Sequence, residues 1–139
     1  MPVNLTPEEK TRLEEFLAPA RIAVVATVGK TGMPQLTPNW YHFANGRLTI
    51  STTKERVKYL NLSRDPRITV CIYSEPSAQD YVVLYGQADV SDDESIWPKT
   101  QAIVERYVKS GVVDERMHQL KQQNRVIISL LPERVVFRT

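Results

Sequence analysis

Arg21–Thr52 reads RIAVVATVGKTGMPQLTPNWYHFANGRLTIST, and its punctuation decides the fold. Residues 21–28 are rich in Val, Ile and Thr, whose branched side chains fit a pleated, half-buried surface. Gly29-Lys30-Thr31-Gly32 closes that run with a turn signal, so the chain reverses into a second strand running from about Met33 or Gln35 to Phe43. Pro34 and Pro38 lack a backbone donor and mark interruptions in its ladder. Asn45-Gly46 is the strongest short hairpin signal in the chain, because both residues tolerate positive φ. Arg47–Ser51 follows as a third strand. Three sequential antiparallel strands leave no room for crossover helices, which disfavours a doubly wound α/β sheet.

Upstream, Thr6 is a plausible N-cap, Pro7 occupies the first helical position, and Glu8 and Glu9 favour the positive helix end. Leu13, Phe16 and Leu17 share one side of that helix, which Pro19 ends. Downstream, Thr52 or Thr53 can cap a helix through KERVKYLNLSRD, with Val57, Leu60 and Asn61 facing inward. Ile68–Tyr73 and Tyr81–Val90 read as strands, the second with Gly86 at a bulge or barrel bend. Helical stretches follow over residues 92–109 and 114–123, with Ile96, Ala102, Ile103 and Val104 as contact residues of the first. Two short strands, 125–130 and 134–137, close the chain.

The expected fold is mainly β with inserted helices: a split β-barrel of six or seven mostly antiparallel strands, because closure removes exposed edges. The expected organisation is one domain over residues 1–139, with an N-terminal helix at 1–18 and an inserted helical region at 92–123.

Composition narrows the class. The 139 residues are 42% hydrophobic and 24% charged, an ordinary globular balance. With 18 Lys plus Arg against 16 Asp plus Glu, the net charge of +2 is too small to argue for nucleic acid. Cys71 is the one cysteine and lies in an apolar run, where a small buried hydrophobe is the natural reading. His42 and His118 give no metal-ligand spacing. The N-terminus is charged where a signal peptide would be apolar, and no run approaches the roughly 20 apolar residues of a membrane helix. A soluble, cytoplasmic protein without membrane or nucleic-acid partners is expected.

The charge is unevenly placed. Residues 51–70 hold Lys54, Arg56, Lys58, Arg64 and Arg67 against only Glu55 and Asp65. Ser51, Thr52 and Thr53 add hydroxyls at the same strand-to-helix junction. Such a junction suits a phosphate, which would meet free backbone N–H groups, the positive helix end and charged donors. Lys54 and Lys58 are four apart and share a helix side, whereas Arg56 need not point with them. A solvated helix face balanced by Glu55 and Asp65 is the competing reading. Gly29–Gly32 lacks the spacing of a phosphate-binding loop.

Taken in order, residues 22–52, KERVKYLNLSRDPRITVCIY, DYVVLYGQADV and NRVIISLLPERVVF resemble the pyridoxamine 5'-phosphate oxidase-like flavin-binding split-barrel family. LTPNWYHF followed by RVKYLNLSRDP is more similar to its branch of coenzyme F420 (deazaflavin)-dependent oxidoreductases. The resemblance implies a homodimer with a cofactor in a groove at the subunit interface. It puts Lys54, Arg56 and Lys58 at the cofactor phosphate, with hydroxyl or backbone contacts from Ser51, Thr52 and Thr53. Gln35, Leu36, Thr37, Pro38 and Asn39 would lie along the ring and its polyol tail, and Tyr81 would reach in from the partner subunit. It implies no catalytic side chain, because the ring carries the hydride.

The implied activity is hydride transfer between reduced F420 and a small organic acceptor such as an activated double bond. FMN on the same fold is the alternative cofactor, and a non-catalytic carrier of flavin, deazaflavin or haem is the rival from another class. Trp40 stands between core packing and the groove. His42, His118, Trp97 and Arg125 have structural readings that need no ligand.

Overall fold

A computed structural model describes all residues, Met1–Thr139. Helix α1 (Pro7–Leu17) begins with a capping box in which Thr6 Oγ1 accepts from the Glu9 N–H and Glu9 accepts from the Thr6 N–H. Leu13 and Leu17 of α1 are buried. Strands β1 (Ala23–Val28) and β2 (Pro34–Asn39) form the first hairpin, and β3 (His42–Ala44) with β4 (Arg47–Thr53) the second. In the latter turn, Asn45 and Gly46 have φ of 54° and 75°, the left-handed pair that matches the twist of a two-residue hairpin.

The sheet continues with β5 (Arg67–Tyr73), β6 (Tyr81–Ser91), β7 (Arg125–Leu130) and β8 (Arg134–Arg138). Its order is β2-β1-β5-β6-β7-β4-β3, with β8 pairing β6, and every pairing is antiparallel. The architecture is the expected split barrel. There are eight strands because the single expected return strand divides at Trp40-Tyr41 into β2 and β3. The three early strands therefore do not form one meander: β2 pairs β1, while β4 pairs β3 and β7.

That division dictates the shape. β2 and β3 sit at opposite ends of the sheet order, yet only Trp40 and Tyr41 separate them in sequence. Three Cα steps span at most about 11 Å. The sheet must curl until its two ends nearly meet, leaving an unpaired seam. β2 is thus an edge strand, which is how Pro34 and Pro38 fit inside it. Tyr41 plugs the seam, fully buried, with its single hydroxyl proton shared between the carbonyls of Leu17 (2.9 Å) and Pro19 (3.0 Å).

The barrel interior is the period-two face of each strand: Ala23 and Val25, Leu48 and Ile50, Ile68, Val70 and Ile72, Val82 and Leu84. Gly86 marks where β6 leaves β8 and β5 and begins to pair β7. A Cβ there would stand 2.7 Å from Leu130 Cδ1 and 3.3 Å from the Leu131 carbonyl oxygen, so the strands cross only because the side chain is absent.

Helix α2 (Val57–Arg64) packs against β1 with a face different from the one expected. Lys58, Asn61 and Leu62 are buried, whereas Val57 and Leu60 are 52% and 49% exposed. Its N-cap is Arg56, without a side-chain cap bond, because Thr52 and Thr53 remain in β4. Asn61 takes the inward place by donating to Thr27 Oγ1 at 3.0 Å. Helix α3 (Ile96–Tyr107) buries Ile96, Thr100, Ile103 and Val104, and a short 3-10 turn at Ser110–Val112 leads into α4 (Val113–Leu120). No helix is long and apolar enough to cross a membrane.

Candidate functional site

The seam opens into a cavity of about 480 Å³. Pro38, Asn39 and Trp40 form its rim where β2 ends, and Ser51 of β4 lies across from them. Ile103 and Val104 of α3 and Leu120 of α4 make an apolar wall. Arg56, Arg116 and Arg125 supply its charge, from the α2 junction, α4 and β7 respectively. Trp40 is held from behind by Tyr107, which stacks parallel to it at 5.0 Å, and Arg116 lies 5.5 Å from the indole centroid.

The site is electrostatically one-sided. No Asp, Glu, His or Cys lines the cavity. The ion pairs of the protein are Met1–Glu133, Arg47–Asp89, Lys54–Asp92 and Asp65–Arg67, and none involves Arg56, Lys58, Arg116 or Arg125. Arg125 donates to Gln123 Oε1 at 2.8 Å and reaches Ser51 Oγ at 3.5 Å, both neutral acceptors. Lys58 is only 5% exposed. Burial pushes its pKa down, and the neighbouring Arg56 and Arg125 push it further. Burial, with Arg56 and Arg116, likewise lowers Arg125. Lys58 is therefore a buried cation without a counter-ion in the chain, which is costly, while Arg56 is exposed and Arg116 and Arg125 are half-buried, none of them with an ionic partner.

The junction at 51–58 is divided by strand alternation. Ser51 lines the cavity, Thr53 is half-buried opposite Arg125, and Thr52 turns into the barrel core at 3% exposure. Lys54 is committed to Asp92 at 2.9 Å. Arg56 lines the cavity, and Lys58 lies within electrostatic reach of Arg56 and Arg125.

The β2 residues also alternate. Gln35, Thr37 and Asn39 are half-buried, while Leu36 and Pro38 are exposed. Gln35 Oε1 accepts from Thr27 at 3.4 Å, and Asn39 Nδ2 donates back to Thr37 O at 2.7 Å. Only Pro38 and Asn39 of this group reach the cavity. Tyr81 starts β6 between Tyr73 and Arg138 and does not line the cavity of its own subunit.

Arg116 has no place in the sequence reading, and Arg125 stands there between the groove and an ordinary strand-start arginine; the structure puts both on the cavity. Neither has a local signal: the chain must fold before residues 116 and 125 stand beside residue 56. His42 is off the cavity, its pKa lowered by partial burial and by Arg106, and His118 is exposed.

A model of the pyridoxamine 5'-phosphate oxidase family matches residues 10–138, nearly the whole barrel with its seam and cavity. The chain belongs to that family. Pyridoxamine 5'-phosphate oxidase-like proteins are broadly flavin-binding oxidoreductases. Solved structures with this fold include a conserved hypothetical protein of Mycobacterium tuberculosis, 22% identical, TM-score 0.77, over 96% of this chain and 84% of that one. An F420 reductase is 22% identical with TM-score 0.68, over 88% of this chain and 94% of its own. A heme binding protein from Mycobacterium smegmatis is 17% identical with TM-score 0.75, over 97% of this chain and 55% of its own. At these identities the likeness is one of fold.

Proposed function

We propose that this pyridoxamine 5'-phosphate oxidase-like protein is an oxidoreductase that uses coenzyme F420 to exchange a hydride with a small organic acceptor such as an activated double bond. The observation that carries this reading is the uncompensated pair Arg56 and Lys58 at the start of α2, beside an open cavity. A phosphate would be held there by the two cations, the Ser51 hydroxyl and the free N–H groups of the first α2 turn. The fold shared with an F420 reductase supports the choice of deazaflavin.

When bound, the cofactor supplies the hydride chemistry itself. The chain's part is to bind the phosphate, to present the rim of Pro38 and Asn39 to the ring, and to exclude water with Trp40, Ile103 and Val104. The cavity offers no carboxyl, imidazole or thiol as a proton donor. FMN also carries a phosphate on its polyol chain, there as a monoester, and is the second reading. No His, Cys, Met or Tyr lines the cavity, which favours flavin-type ligands over haem, whose iron is held by such side chains.

A homodimer belongs to the proposal. The outer face of the sheet presents Val24, Cys71 and Val83 in one cross-strand row, and Leu36 of β2 is 61% exposed, as are the apolar Val57 and Leu60 of α2 at 52% and 49%. A second copy covering this face would bury an apolar surface that a lone barrel leaves in water.

Equilibrium titration of the purified protein with F420 and with FMN, followed by mass spectrometry of what stays bound, tests the cofactor. Tighter retention of F420, and consumption of its reduced form in the presence of enones or quinones, is the expected result. Preferential retention of FMN moves the protein to the flavin enzymes of the family. Reduced cofactor that binds but is never consumed makes it a carrier.

A further inference from the structure

The charge beside the cavity exceeds what one phosphate requires. A phosphate monoester such as that of FMN carries about −1.5 to −2 at neutral pH and a phosphodiester such as that of F420 about −1, either of which Arg56 and Lys58 already balance. Arg116 and Arg125 remain over, on different elements, α4 and β7, yet both line the same cavity. Neither has a carboxylate partner in the chain. Two guanidiniums are also the donors best matched to a planar carboxylate, which they bind through parallel N–H groups.

The surfaces beside them are apolar and fixed. Trp40 is backed by Tyr107 at 5.0 Å, and Ile103 is 2% exposed as part of the α3 packing. Thr100 contributes no free donor, because its hydroxyl is committed to the Ile96 carbonyl at 2.7 Å. A ligand reaching this end of the cavity therefore meets positive charge on one side and hydrocarbon on the other.

We propose that Arg116 and Arg125 form a second anion station, which takes the carboxylate of an organic acid whose apolar body lies against Trp40, Ile103 and Val104. The charge arithmetic rests on the phosphate being held at Arg56 and Lys58. The carboxylate has two possible owners, a free acid acting as substrate or the tail of the cofactor, and the chemistry of recognition is the same for both.

Calorimetric titration with 2-naphthoate and its uncharged amide, 2-naphthamide, tests the station. Wild-type protein should bind the acid at least about tenfold more tightly than the amide, the scale of one charge-assisted contact. Arg116→Gln should abolish that preference while leaving the affinity for inorganic phosphate within about twofold. Equal affinities for acid and amide, no binding of the acid at millimolar concentration, or a preference that survives Arg116→Gln would each overturn the proposal. Repeating the titration on protein saturated with F420 names the owner: undiminished acid binding assigns the station to a substrate acid, and displacement assigns it to the cofactor tail. Failure of the phosphate reading shows separately, as loss of any distinction between FMN and riboflavin.

Discussion

The indole of Trp40 lies parallel to the phenol of Tyr107, with ring centroids 5.0 Å apart and 1° between their planes. This contact joins the seam of the barrel to α3. The Tyr107 hydroxyl extends the joint, donating to the Arg21 carbonyl at 2.5 Å and accepting from the Tyr41 N–H at 3.3 Å. One side chain thus ties the entrance of β1, the two-residue link and the inserted helices together, and so sets the cavity wall.

Tyr107→Phe keeps the ring and removes both hydrogen bonds. Stability should fall by about 1–2 kcal/mol, since a part-buried carbonyl and a part-buried N–H lose their partner. Urea unfolding with an unchanged m-value is the check. A variant as stable as the parent would show that the hydroxyl contributes nothing net.

Tyr41 should give the protein an alkaline weakness. Burial above all, then the neighbouring Tyr107, raises its pKa from 10.0 to about 12, against the opposing pull of Arg106. The folded state holds this proton more tightly than the unfolded chain, so the stabilisation is full below pH 10 and is lost as pH rises through about 12. Tyr41→Phe should flatten the stability profile in that window. A profile identical to that of the parent would contradict it.

Much of the barrel is legible because it follows local rules. The Thr6–Glu9 capping box, the Asn45-Gly46 turn and the alternation at Ile68, Val70 and Ile72 each depend on residues a few positions apart. The insertion of β7 between β6 and β4 does not, and only the closed topology reveals it. The same holds for Arg116 and Arg125. On α2 the hydrophobic rule itself misleads: Asn61 is buried by its bond to Thr27 and Lys58 is buried near Arg56 and Arg125, while Val57 and Leu60 stay outside.

Lys58 should trade stability for binding. Its folded pKa lies below the unfolded value of 10.5, so its buried charge costs stability at neutral pH, and the cost is relieved as pH rises through the lowered pKa toward 10.5. Lys58→Met should therefore leave the ligand-free protein as stable as the parent or more so, while phosphate-bearing ligands bind about 10- to 100-fold more weakly. Thermal melts with and without FMN read both effects. A destabilised variant with undiminished affinity would contradict the assignment.

Gly86→Ala should cost about 1–3 kcal/mol, because the new methyl meets Leu130 Cδ1 at 2.7 Å and the Leu131 carbonyl at 3.3 Å. Leu130 can shift its side-chain tip, but the carbonyl moves only with the backbone. Chemical denaturation decides it, and a neutral substitution would mean that the crossing of β6 over β7 has slack.

A phosphate gripped where β4 hands over to α2 is the centre of the proposed function, and comparing FMN with riboflavin, which has the same ring and no phosphate, tests that grip most directly. Titration should show FMN binding at least about tenfold more tightly than riboflavin, with the difference erased in a variant lacking the Arg56 and Lys58 charges. Equal affinity for the two in the wild-type protein would contradict it.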